Sequence, residues 1–252
     1  MLKNPWYNYW MPRYESNEPN YFDAQNFEWG KKILANRSII KAELLQIVKK
    51  RGGKLFPYYS PAVSMDGDQW HTLAFKTWGI DVKQNLMECP EISKVINEIP
   101  QLVSASVNIL MPNSNLKLHQ GDSDSFYRCH LGIEIPSGLP DLGFEVEGEK
   151  KGWEEDDLVI FLDAKEHRAW NNTDKRRVIF LFDVIKEEYQ DQQKNICFNV
   201  RSFLMLQWIA GKYPGFLKWN KKIQRVIFFK IKLLLRLIYP YQKRKGVIIK
   251  HS

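Results

Sequence analysis

The chain has 252 residues, 44% of them hydrophobic and 13% aromatic, which is enough apolar material for one domain of barrel or sandwich size. Its net charge of +8 belongs to one end: from Lys212 onward there are 12 Lys or Arg and no Asp or Glu, leaving residues 1 to 211 with 25 basic against 29 acidic groups, a net of −4. A slightly acidic body excludes a general nucleic-acid-binding surface, and a basic tail points to an acidic partner such as a lipid surface.

Three cysteines (Cys89, Cys129, Cys197) are odd in number and lack C-x-x-C spacing, which speaks against a disulfide scaffold. The opening MLKNPWYNYWMPRYE has neither the apolar run nor the small-residue cleavage site of a secretory signal. The expected location is therefore cytoplasmic, in a reducing compartment.

In chain order, residues 24 to 51 carry Ile33, Leu34, Ile39, Ile40, Leu44, Leu45 and Val48 at helical spacing, which predicts one helix stopped by Gly52 and Gly53. From about Ala105 the pattern changes to short β-type runs: SASVNIL, HLGIEIP, GFEVEGE, DDLVIFL and RRVIFLFDV, separated by Pro, Gly, Asn and Asp. Strands at this spacing predict a barrel or jelly roll. A mostly helical stretch follows Asp183.

Within that stretch runs GFLKWNKKIQRVIFFKIKLLLRLIY, residues 215 to 239. At about 100° per residue, Lys218, Lys221, Lys222, Arg225, Lys232 and Arg236 share one arc, while Ile223, Val226, Ile227, Ile231, Leu234, Leu237 and Ile238 cover much of the opposite side. The segment is too charged to cross a bilayer. Two readings stay open: a helix lying on a membrane surface through residues 215 to 245, helped by Lys243, Arg244 and Lys245, or a helix docked on the barrel with a solvated basic face.

The polar residues that attract attention are His119 and His130, in HQGDSDSFYRCH, and His167, all near ends of predicted strands. Their sequence separations bring them together only if a barrel does so. Asp122, beside Gly121, is an alternative carboxylate ligand. Asp124 and Tyr127 read either as substrate contacts or as surface-loop residues, and Cys129 as a small buried hydrophobe.

From Trp70 to about Asp183, the stretches WHTLAFKTWGI, ECPEISKVINEIPQL, the MP and HQG of MPNSNLKLHQG, RCHLGIEIP, GWEED and FLDAKEHRAWNNTDKRRVIFLFDV resemble the aspartyl/asparaginyl β-hydroxylase family in order and spacing. The resemblance implies a mainly β fold with flanking helices, built on a double-stranded β-helix of the jelly-roll or cupin kind. It also implies an oxygenase domain over residues 1 to 190 and a basic helical extension over residues 191 to 252. Its members use iron(II), 2-oxoglutarate and dioxygen to hydroxylate Asp or Asn in polypeptides, or acyl chains of membrane lipids.

Carried over by motif, His119 (of H-x-G) and His167 (of EHRAWN) correspond to the iron ligands, and Gly121 stands where most iron(II) oxygenases have a carboxylate. Arg128 and His130 correspond to the pair that holds 2-oxoglutarate near the metal, Arg177 to the arginine for its distal carboxylate, and Asp163 to an acid beside the metal. Asn108 replaces the small hydroxyl residue of the cosubstrate pocket, Leu162 replaces one of two acids before the histidine, and Glu145 replaces a basic residue. The H-x-G element is similar to the polypeptide hydroxylases, whereas the basic tail points to lipid and to the inner face of a membrane. Two other readings remain: a radical halogenase, since a glycine leaves room for halide on iron, and a non-catalytic binding module.

Overall fold

The computed structural model describes residues 3–53, 55–57 and 69–247. The strands are β1 (Tyr21–Phe22), β2 (Phe56–Pro57), β3 (Trp70–Thr77), β4 (Ile80–Asp81), β5 (Leu102–Leu110), β6 (Ser114–His119), β7 (Phe126–Glu134), β8 (Leu142–Val146), β9 (Glu149–Lys151), β10 (Leu158–Leu162), β11 (His167–Asn171) and β12 (Arg177–Ile185). The helices are α1 (Glu28–Ala35), α2 (Arg37–Lys50), α3 (Lys83–Glu88), α4 (Pro90–Asn97), α5 (Gln193–Lys212) and α6 (Lys221–Lys245).

The strands form two antiparallel sheets, a large one in the order β1-β10-β7-β12-β5-β3-β2 with β4 on β3, and a four-stranded one in the order β6-β11-β8-β9. Packed face to face, they make the jelly-roll core expected from the sequence. Alternation along the long strands assigns the faces. Leu73 and Phe75 of β3, Ala105, Val107 and Ile109 of β5, Cys129 and Leu131 of β7 and Phe180 and Phe182 of β12 point outward into a core shared with α2 and α4. The intervening residues point inward, toward the small sheet.

The expected single helix over residues 24 to 51 is three pieces: a 3₁₀ turn at Ala24–Asn26, then α1, then α2. The break falls at Asn36, whose side-chain amide donates to the Lys32 carbonyl at 2.8 Å and so competes with the backbone ladder. Ile40, Leu44, Ile47 and Val48 of α2 are buried, but Ile39 is exposed. Gly52 and Gly53 end α2 with φ of 65° and 72°, in the left-handed region that favours glycine, so the stop lies where the sequence puts it. The sequence reading missed β3, β6 and β11, which are mixed in polarity.

The C-terminal helices are fixed to the body. Ile196, Cys197 and Val200 of α5 pack with Trp78, Val103, Phe126 and Tyr189, and Phe203 stacks on Phe228 of α6 with ring centroids 4.6 Å apart. Trp10 closes that cluster from the other end of the chain. The two-sided helix expected over residues 215 to 239 is instead a 3₁₀ turn at Pro214–Lys218 followed by α6, and α6 has three faces. Phe228 and Leu235 are buried with Ile227 and Ile231 partly covered, whereas Ile223, Val226, Leu234 and Leu237 of the same expected apolar side face solvent. Lys221, Lys222, Arg225, Lys232 and Arg236 lie between these faces, and Lys230 lies within the exposed one. No helix among the described residues is long and apolar enough to cross a membrane.

Candidate active site

His119 ends β6 and His167 begins β11, and the two strands pair antiparallel with these residues directly opposite each other. Their ring centroids lie 4.3 Å apart. Each Nδ1 lies 2.7 Å from the carbonyl oxygen two residues earlier, Lys117 for His119 and Lys165 for His167. A carbonyl only accepts, so both Nδ1 atoms carry the proton and both Nε2 atoms keep a lone pair. Burial pushes both imidazoles below their ordinary pKa, which holds them neutral. Two neutral nitrogen donors side by side are what a divalent transition metal takes from a protein.

Asp163 follows β10, and its carboxylate Oδ1 lies 3.7 Å from His167 Nε2. The loop after His119 wraps around it: Gly121 N donates to the Asp163 carbonyl at 2.8 Å and Asp122 N to Asp163 Oδ2 at 3.1 Å. A Cβ placed on Gly121 would fall inside the Asp163 carboxylate. The glycine is thus a requirement of space, because the acid missing at position 121 has its volume occupied by an acid from β10. Among the described residues no three His, Cys, Asp or Glu side chains are grouped to hold a metal.

Arg128, on the inward face of β7, does not stand free. Its Nη1 meets Asp163 Oδ1 at 2.5 Å, and its Nε and Nη2 donate to the two oxygens of Asp183 at 2.9 and 3.4 Å. Burial works against its charge, but Asp163 and Asp183 outweigh it and hold the guanidinium protonated.

Arg177, at the start of β12, is the opposite case. It is 3% exposed, its Nε and Nη1 have no hydrogen-bond partner among the described residues, and its guanidinium lies 4.4 Å from the Trp153 ring centroid. Burial lowers its pKa to about 9. His130, in the interior of β7 and not at a strand end, accepts from Trp153 Nε1 at 3.3 Å through Nδ1, which leaves Nε2 as an unpartnered donor. Two buried donors without acceptors, one of them cationic, suit an anionic ligand.

His119, His167, Arg128, His130, Arg177 and Asn108 all line one narrow cavity of about 40 Å³, with Phe144, Trp153, Phe161 and Ile179 as its apolar wall. Asn108 accepts from Trp70 Nε1 at 2.8 Å and donates to Ser106 Oγ at 2.7 Å. Asp122 does not reach this cavity; its side chain lines a neighbouring groove, and burial raises its carboxyl to about 7. Asp124 is structural, accepting from Trp6 N and Tyr189 Oη, and Tyr127 packs on the outer face against Phe22 and Phe27. Cys129 is fully buried in the outer core. Glu145 pairs across the strands with Arg168 at 2.9 Å. The residues the sequence reading missed are Asp183, which occupies Arg128, and Trp153, which covers Arg177.

Fold and site together define a jelly-roll protein with a histidine pair and, beside it, unpartnered buried donors on Arg177 and His130. The family model described as aspartyl/asparaginyl beta-hydroxylase matches residues 35–187, and the chain belongs to that family. An ornithine lipid ester-linked acyl 2-hydroxylase of Rhizobium tropici is 30% identical over 174 residues, covering 67% of this chain and 61% of that protein. The human aspartyl/asparaginyl beta-hydroxylase is 26% identical over 169 residues, covering 65% of this chain and 22% of that protein. The chain thus spans less than two thirds of the length of either relative. Among solved structures, HygX of Streptomyces hygroscopicus, with nickel and 2-oxoglutarate bound, superposes with a TM-score of 0.40 at 10% identity, over 58% of this chain and 79% of that one.

Proposed function

We propose that this chain is an iron(II) and 2-oxoglutarate dependent hydroxylase that acts on the acyl chain of a membrane lipid, at a C–H bond next to a carbonyl group. The observation that carries the cofactor reading is the pairing of two neutral imidazoles, Nε2 lone pairs free, with the unpartnered buried donors of Arg177 and His130 in one cavity. His119 and His167 would hold the metal. With dioxygen, iron and 2-oxoglutarate supply the oxidation: 2-oxoglutarate becomes succinate and carbon dioxide, and the C–H bond becomes C–OH.

The chain's own residues do the positioning. Arg177 offers a planar fork to a distal carboxylate, and Trp153 with Phe144 keeps water from that pair. His130 Nε2–H adds a second donor beside it. Arg128, neutralised by Asp163 and Asp183, sets the angle of the Asp163 carboxylate and holds its Oδ1 3.7 Å from His167 Nε2.

Two observations support a lipid. At the tip of the α5–α6 hairpin, Trp208, Tyr213, Leu217 and Trp219 are all more than half exposed, among Lys212, Lys218, Lys221 and Lys222, which is the composition of a surface that sits in a lipid headgroup region. The exposed apolar face of α6 continues that surface. The second is the 30% identity to a relative named for an ester-linked acyl chain and for position 2, the carbon next to the carbonyl. This reading places the protein at the inner face of a membrane, with residues 1 to 190 as the oxygenase domain and 191 to 252 as its lipid-facing extension.

The test is succinate formation by anaerobically purified protein given iron(II), 2-oxoglutarate and air, with ornithine lipid in micelles or with an Asp-containing peptide. Lipid-stimulated succinate, a product gaining one oxygen atom, and loss of both in His119→Ala and His167→Ala support the proposal. Stimulation by the peptide alone moves the substrate to polypeptides, and a chlorinated product in chloride buffer makes the protein a halogenase. Absence of both turnover and calorimetric iron binding leaves a binding module.

A further inference from the structure

The large sheet is wider than the small one, and the inward face of its β3–β5 half has a different composition from the rest of the core. Thr72 and Ala74 of β3 and Ser104 and Ser106 of β5 point inward, while their outward neighbours Leu73, Phe75, Ala105 and Val107 are fully buried. A strand pair meant only to be packed on both faces would be apolar on both. Here the inward face encloses a groove of about 160 Å³.

One end of the groove is the histidine cavity, since Trp70, Asn108, Arg128 and Leu181 line both. The other end is bounded by Trp78 and by Leu204 of α5. Leu204 sits one helical turn before Trp208, which is 61% exposed, and next to Met205, also exposed. The groove therefore runs from the site to the apolar and basic hairpin.

Its wall offers donors. Ser106 Oγ accepts from Asn108 Nδ2, so its own proton is available, and the Thr72 hydroxyl makes no hydrogen bond among the described residues. Near Arg128 there are three carboxyl groups, Asp122, Asp163 and Asp183, around one guanidinium. The groove's other cation, Lys76, lies at the Trp78 end with its ammonium 3.5 Å from Asp81 Oδ1. At the Arg128 end, hydroxyl donors beside an excess of acid suit a neutral carbonyl and disfavour a carboxylate.

We propose that this groove is the substrate site, taking an ester or amide carbonyl on the Ser106 and Thr72 hydroxyls, its neighbouring methylene between Trp70 and Leu181, and the rest of an acyl chain past Leu204 toward Trp208. The proposal rests on the hydroxylase reading for its chemistry, but binding in the groove is measurable without turnover. The three native thiols are buried, so a single cysteine placed at Ala74 in the full chain reports on the groove.

In Ala74→Cys, dihexanoyl phosphatidylglycerol, which carries two ester carbonyls, slows alkylation by N-ethylmaleimide about tenfold. Hexanoate, a free carboxylate of the same chain length, leaves the rate unchanged, as does either probe at a control thiol, Ser38→Cys on the exposed face of α2. Adding Thr72→Val to Ala74→Cys weakens the protection several-fold. Equal alkylation rates with and without the lipid overturn the proposal, and protection by hexanoate as strong as by the ester overturns its preference for a neutral carbonyl. Protection without succinate in the preceding assay keeps the groove and removes the hydroxylase reading; succinate without protection does the reverse.

Discussion

Arg128 and Arg177 sit on the same inward sheet face, on strands β7 and β12 that pair directly, and both are buried. Their surroundings differ. Arg128 is enclosed by Asp163 and Asp183 and stays charged, whereas Arg177 has an aromatic ring, no acid, and a pKa lowered to about 9 by burial. A paired buried charge serves the architecture; an unpaired one costs stability and marks a candidate ligand site.

Breaking the first region has the largest effect. Arg128→Met leaves two buried carboxylates without a cation, and a urea titration should show a loss of about 3–5 kcal/mol. Arg177→Met should instead leave the urea midpoint unchanged or slightly higher, while calorimetry on the iron-loaded protein shows 2-oxoglutarate affinity reduced about 100-fold, or ~2.7 kcal/mol. Equal stability losses in the two variants would end the distinction between them.

Gly121→Ala sharpens the comparison from the side of Asp163. It pushes a methyl group into the carboxylate that Arg128 holds, with an expected cost of about 1–3 kcal/mol and weakened iron binding. Exchanging the pair, Gly121→Asp with Asp163→Gly, should restore iron binding that Gly121→Ala lowers.

His130 lies beside Arg177, and burial, then that arginine's charge, pulls its pKa well below the ordinary 6.5. As the pH falls, the unfolded chain takes up this proton before the folded one, so stability is full above about 6.5 and is lost below it, by at most ~1.4 kcal/mol per pH unit. The urea midpoint of His130→Gln should fall less steeply than that of the wild type between pH 7 and 5. The smallest effect on stability is expected far from both arginines: Trp208→Ser with Trp219→Ser should change it by less than about 0.5 kcal/mol, yet lower partitioning onto anionic vesicles about tenfold.

Much of the site was legible in the chain because its chemistry sits in short motifs: H-x-G, RCH and EHRAWN each hold a cavity residue within a few positions of a turn or strand signal. What the motifs hide is pairing across long separations. Nothing near Arg128 in sequence shows that Asp183, five strands later, neutralises it, and nothing near Gly121 shows that Asp163 fills its space. Strands β5, β7, β8, β10 and β12 were read from short apolar runs between turn residues, but β3, β6 and β11 carry polar residues toward the site and lose that pattern. Helix α6 was read with two sides because periodicity reports polarity and not contact; packing against Phe203 and Trp10 divides its apolar residues into a docked set and an exposed set.

The mutual exclusion of side chains at positions 121 and 163 also bears on how such centres diverge. A carboxylate carried by the loop and one carried by the end of β10 compete for a single volume, so a change at either position is harmful until the other has changed. The two positions are therefore epistatic. A lineage moving between a histidine pair and a three-ligand centre on this scaffold would have to cross a poorly folded intermediate, or first gain stability elsewhere to survive it.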